Sequence, residues 1–158
     1  MSRLKLAGWL VLLPMAAAAQ DTVPYGSRAG MQVSVVARSG IDTADAVVRV
    51  VHTRADARSY CVHYVLDPSD RCVEDTMADL AGQLRDRIDG NCETGVFTDL
   101  WGTRMQFLGR MAQPTELGAD WDLRVIEDTD AGPLDGSMAS GYGVALDQFR
   151  ALCPARLN

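Results

Sequence analysis

Two cysteine pairs must be satisfied by whatever this chain folds into. Cys61, Cys72, Cys92 and Cys153 come after an N-terminal segment that reads as an export signal, and exported cysteines in even number form disulfides. The segment Met1–Ala19 begins with Arg3 and Lys5, runs apolar from Leu6 to Met15, and closes on Ala16–Ala19 before Gln20. A basic start, a short apolar stretch and small residues before a cut have the form of a secretory signal peptide. Its apolar part is about half the roughly 20 residues that a spanning helix needs. The mature chain is therefore expected to start at or near Gln20, in a periplasm or outside the cell, with no membrane span. Residues 20–30 read as a loose mature N-terminus, and residues 31–158 as a single domain.

Cleavage removes Arg3 and Lys5 and no acid, taking the formal charge from −6 to −8. A chain this acidic is not expected to bind nucleic acid. Lys5 is the only lysine, so the mature protein has none. Schiff-base chemistry, a phosphate-loop lysine and a Ser-x-x-Lys nucleophile are thereby excluded.

Local patterns predict an α+β domain in the order ββ-αα-βββ-α, an antiparallel sheet with helices packed on one face. Met31–Arg38 and the valine-rich Ala46–Thr53 read as strands. Thr53 and Asp56 have capping-box spacing and open a helix from Arg54 to about Leu66. Asp67 and Pro68 suit the N-cap and first position of a second helix. Val73, Met77, Leu80, Leu84 and Ile88 form a helical stripe that carries it to Ile88, with Asp89-Gly90 as its stop. Val96–Trp101 and Thr103–Leu108 flank Gly102 as a hairpin, Trp121–Glu127 is a further strand, and Val144–Cys153 a last helix stopped by Pro154. A helical hairpin followed by a meander resembles, in layout alone, some small secreted inhibitor or binding modules.

Of the three possible pairings, Cys61–Cys72 with Cys92–Cys153 fits best. A helical hairpin brings the first two together, whereas a long helix would hold Cys72 and Cys92 about 30 Å apart. A disulfide tolerates only about 7 Å between Cα atoms. With no C-x-x-C, these cysteines read as structural rather than redox-active or zinc-binding.

Three functions are compatible with these residues. The first is an exported non-catalytic binding or structural module, with a protein or small polar ligand as partner. Its contacts would come from Ser137, Ser140 and Tyr142 in the long glycine-containing loop Thr129–Gly143, or from Phe97, Trp101 and Trp121 of the meander, unless those rings are core. The second is a small secreted hydrolase with His52 as base, Asp56 nearby in sequence and Ser137 as nucleophile; Ser137 lacks the G-x-S-x-G elbow, and His63 has less support still. The third is a cation-dependent binding module using Asp128, Asp130 and Asp135. Asp128 and Asp130 match positions 1 and 3 of a calcium loop, but Gly132, Pro133 and Ala139 depart from the rest. No cofactor is expected; calcium is the ion such a site would take.

Overall fold

The structure is a computed structural model that describes residues 21–110, 123–127, 134 and 141–157, the last strand by its backbone alone. The signal segment, Trp121, Asp128, Asp130, Asp135, Ser137, Ser140 and most of Thr129–Gly143 lie outside the described residues.

The chain is α+β: its described residues form one antiparallel sheet with three α-helices. Seven strands succeed one another in sequence order: β1 (Thr22–Pro24), β2 (Gln32–Ser39), β3 (Ala46–Val51), β4 (Arg87–Asn91), β5 (Val96–Thr98), β6 (Arg104–Arg110) and β7 (Leu123–Glu127). Helices α1 (Arg54–Tyr60) and α2 (Asp70–Leu80) interrupt the meander between β3 and β4, and α3 (Tyr142–Leu152) comes after β7. Strand β3 shows how residue type sets the sheet's inner side. Ala46, Val48 and Val50 are buried while Arg49 and Val51 are exposed, as the period of two requires. Both edge strands, β1 and β7, touch α3, as do β3 and β4, so the sheet curls around this helix. Phe149 of α3 is completely buried between the rings of Phe107 and Phe97, at centroid distances of 4.6 and 5.3 Å.

Two strands depart from the expected order. Residues 20–30 are not a loose terminus where they are described: Thr22, Val23 and Pro24 pair with Ser34, Val33 and Gln32, and Val23 and Tyr25 are buried. A three-residue strand has no period to read, and only its neighbours bury it. The second helix does not reach Ile88. It ends after Leu80, Gly82 turns at φ +74°, and Ile88 pairs with Val48 in β4. Leu80, Leu84 and Ile88 still meet the main core, but only the first is helical. Strand pairing thus overrides a spacing that suits a helix equally well. Nor is Asp89-Gly90 a helix stop. Gly90 lies between Ala46 and Phe97, where an added Cβ would stand 2.7 Å from the Phe97 Cβ.

The helical hairpin has a small core of its own: Ala57, Cys61 and Val73, with Cys72 and Met77 beside them. The Thr53–Asp56 capping box is present at the start of α1. The helix continues as a π-helical turn, Cys61–Val65, that ends on Leu66 at φ 61°. Helix α2 begins two residues later than its Asp-Pro signal suggests. Ser69 caps it by accepting from the Cys72 amide, and Asp67 Oδ1 accepts from the Ser69 amide instead.

Both disulfides pair as expected: Cys61–Cys72 with Cα atoms 6.0 Å apart, and Cys92–Cys153 at 5.5 Å. Helix length separates Cys72 from Cys92 less than expected, because α2 is shorter; the hairpin geometry that joins Cys61 to Cys72 is present. Among the described residues no helix is long and apolar enough to cross a membrane, and the two disulfides are consistent with an exported protein.

Candidate functional site

His52 lies just after β3 and next to the start of α1, as its sequence position suggests. Its ring meets the Tyr25 ring edge-on, with centroids 5.7 Å apart. Burial holds its pKa below the ordinary histidine value, and the Asp56 charge opposes that shift without cancelling it. Asp56, only 2% exposed, is already occupied. Its Oδ2 accepts from the Thr53 amide at 2.9 Å, the Thr53 hydroxyl at 2.7 Å and the Ser34 hydroxyl at 2.8 Å. This carboxylate caps α1 and ties it to β2. A groove of about 280 Å³ runs past His52 between Val51, Met77, Leu80 and Leu84. His52 Nε2 is buried and unpartnered, so it is not presented to that groove. A general base must reach the proton it takes, and Nε2 in this arrangement does not.

The other sequence candidates separate. Tyr142 is not a loop residue: it opens α3 and is buried in the main core. Ser137, Ser140, Asp128, Asp130 and Asp135 lie outside the described residues. Among the described residues no three His, Cys, Asp or Glu side chains are grouped to hold a metal ion. His63 is exposed on the π-helical turn. Of the meander aromatics, Phe97 is core and Trp101 is 44% exposed.

Trp101 forms part of a cleft of about 310 Å³ that also meets Tyr25, Arg28, Met31, Asp99 and Met105 and the first turn of α3. The tip of the β5–β6 hairpin carries it there. Asp99 shapes that tip, its Oδ1 accepting from the amides of Trp101 at 2.9 Å and Thr103 at 2.7 Å. This is an ordinary aspartate turn, in which the side chain replaces a backbone acceptor. Burial pushes the Asp99 pKa above the usual carboxylate value, although those amides favour the charged form. The Trp101 Nε1 donates to the Tyr25 carbonyl at 2.7 Å, and the two rings meet edge-on at 6.2 Å. Tyr25 is buried, which raises its hydroxyl pKa to about 12, with smaller contributions from Tyr60 and Asp56; the hydroxyl remains neutral at physiological pH.

Gln148 holds the two sides of this cleft together. It is buried on α3, accepts from the Leu100 amide at 3.1 Å and donates to the Pro24 carbonyl at 2.9 Å. One side chain thereby joins β1, the hairpin tip and the helix. Arg28, in the β1–β2 turn, stacks its guanidinium 4.6 Å from the Tyr64 ring centroid and donates Nη1–H to the Tyr64 hydroxyl. Tyr60 stacks on the Tyr64 ring in turn, with centroids 5.4 Å apart. Sequence reasoning marks Trp101 but misses Arg28 and Gln148. A glutamine among the apolar positions of α3 is the available signal for the latter.

No family model, curated protein or solved structure matches this chain.

Proposed function

We propose that the chain is an exported binding module, acting in a periplasm or outside the cell, that holds a small molecule or a partner's side chain in the Trp101 cleft. Chemistry of its own is not part of this reading. The observation that carries it is the state of Trp101: its polar Nε1 is used within the protein, while much of its indole surface stays open at a concave site. Covering the part of that ring still exposed removes apolar surface from water, at about 25 cal/mol per Å². Because the ring is already held in place, little side-chain entropy is lost on binding. Tryptophan, tyrosine and arginine are also the residues that dominate binding energy where they cluster. Gln148 joins both sides of the cleft, as a preformed site requires.

A fragment library screened by ligand-observed NMR against the mature wild type and Trp101→Ala tests this. Fragments that bind the wild type should bind Trp101→Ala about tenfold more weakly, with the fold intact by circular dichroism. Absence of any hit, or hits indifferent to the substitution, would overturn the reading.

A further inference from the structure

Resting on that cleft as a binding site, we infer that its ligand is a small free acid: one aromatic or branched apolar body bearing a single carboxylate. Trp101, Met31, Met105 and Val144 offer the body an apolar surface, and the two methionines adapt readily to irregular shapes. A volume of about 310 Å³ lies at the lower end of ligand pockets, which suits one ring with a short side chain.

Arg28 supplies the charge recognition. On the neighbouring hairpin, Arg54 pairs with Glu74, Arg58 with Asp70 and Arg71 with Asp75. Arg28 has no carboxylate partner among the described residues. Among the described residues its guanidinium meets Tyr64, through the ring face and one hydrogen bond from Nη1. Its Nε and Nη2 have no hydrogen-bond partner among the described residues, while stacking restrains the guanidinium plane. A planar fork restrained in this way matches a carboxylate. An exposed tryptophan would by itself also accept a cation, but Arg28 at the same cleft repels one. Asp99, the one carboxylate among the described residues that meets the cleft, is buried and spends an oxygen on its own turn. The strongly acidic chain as a whole disfavours polyanions. A monocarboxylate satisfies both the local cation and the overall negative field.

The experiment compares 3-phenylpropionate, 3-phenylpropanol and 3-phenylpropylamine by isothermal titration against the mature chain. For the wild type, the acid should bind at least tenfold more tightly than the alcohol, and the amine no more tightly than the alcohol. Arg28→Gln should bring the acid to the level of the alcohol and leave the alcohol unchanged. Trp101→Ala should weaken both. If Arg28→Gln does not fold, Arg28→Lys replaces it, and the preference for the acid should then fall without vanishing. An alcohol or amine that binds as well as the acid overturns the carboxylate assignment and leaves the cleft reading standing. An acid preference that survives Arg28→Gln also overturns it. Absence of binding by all three overturns the inference, and the fragment screen against the wild type and Trp101→Ala then decides whether the cleft reading falls with it.

Discussion

The sheet curled around α3 and the helical hairpin beside it are each closed by one disulfide, but different forces hold them. Around α3 the burial is deep: Val48, Ile88, Leu100, Phe149 and Leu152 are all completely inaccessible. In the hairpin only Ala57, Cys61 and Val73 reach that state, and Val62, Tyr64, Val65 and Leu66 stand exposed on its π-helical turn and the residue after it. Its ion pairs, Arg54–Glu74 and Arg58–Asp70, are largely solvent-exposed, and pairs of that kind contribute little. The hairpin therefore depends on constraints on the chain: a cross-link, two helix caps, the bond from Ser34 to Asp56 and the Arg28–Tyr64 contact. The sheet depends on apolar burial, and its cross-link supplements a core that already exists. Two regions of one domain can thus respond very differently to the same kind of damage.

Removing the cross-links tests this comparison with the largest effects. Cys92–Cys153 joins positions 61 residues apart and Cys61–Cys72 positions 11 apart. By chain entropy alone, replacing the first pair with alanine should cost about 4 kcal/mol and the second about 3 kcal/mol, measured by urea unfolding. Their distribution should differ more than their size. Loss of Cys61–Cys72 should collapse amide protection in α1 and α2 while the strands remain protected. Uniform loss throughout the domain would show that the two regions are not energetically distinct.

The joint between the regions comes next. Asp56→Ala leaves the donors of Thr53 and Ser34 without their acceptor, at an expected cost of about 2–3 kcal/mol in urea unfolding. A cost under about 0.5 kcal/mol would mean that water replaces the carboxylate and that the joint contributes little. Ser69→Ala removes only the α2 cap and should cost about 1 kcal/mol. That loss should appear as faster amide exchange in the first turn of α2, with the sheet unchanged; an equal change in β3 would couple the regions more tightly than their separate cores imply.

The smallest effect is the pH response of His52. Its folded pKa lies below the unfolded value of about 6.5. The unfolded chain therefore binds the proton more readily, and stability declines as pH falls from about 6.5 through the lowered folded value. The melting temperature should decrease from about pH 7 towards about pH 5, and His52→Gln should flatten that slope. An unchanged slope in His52→Gln would show that other groups carry the response.

Several features can be read locally because their physical cause is local. The Thr53–Asp56 box, the alternation of β3 and most of α3 each depend on contacts within a turn or two of chain, so residue type and spacing reveal them. The disulfide pairing comes from a predicted hairpin and an even cysteine count, even though the second helix of that hairpin is shorter than its apolar stripe implies. Strand β1 is invisible because three residues carry no period. Strand β4 is hidden because Ile88 continues a helical stripe as convincingly as it pairs with Val48. Trp101 is legible as an aromatic with two possible uses, core or contact, and only the direction of the hairpin tip decides between them. That direction is set by Tyr25, 76 residues away in sequence, and by Gln148, whose bond to Pro24 spans 124 residues. By itself, then, the sequence determined the signal-like segment, the acidic and lysine-free composition of the rest of the chain, the α+β class and the cross-links. The tertiary structure decided which strands close the sheet, which meander aromatic faces water and that Arg28 has no carboxylate beside it among the described residues. Those outcomes depend on the free energy of contacts between distant segments, and no window of neighbouring residues contains them.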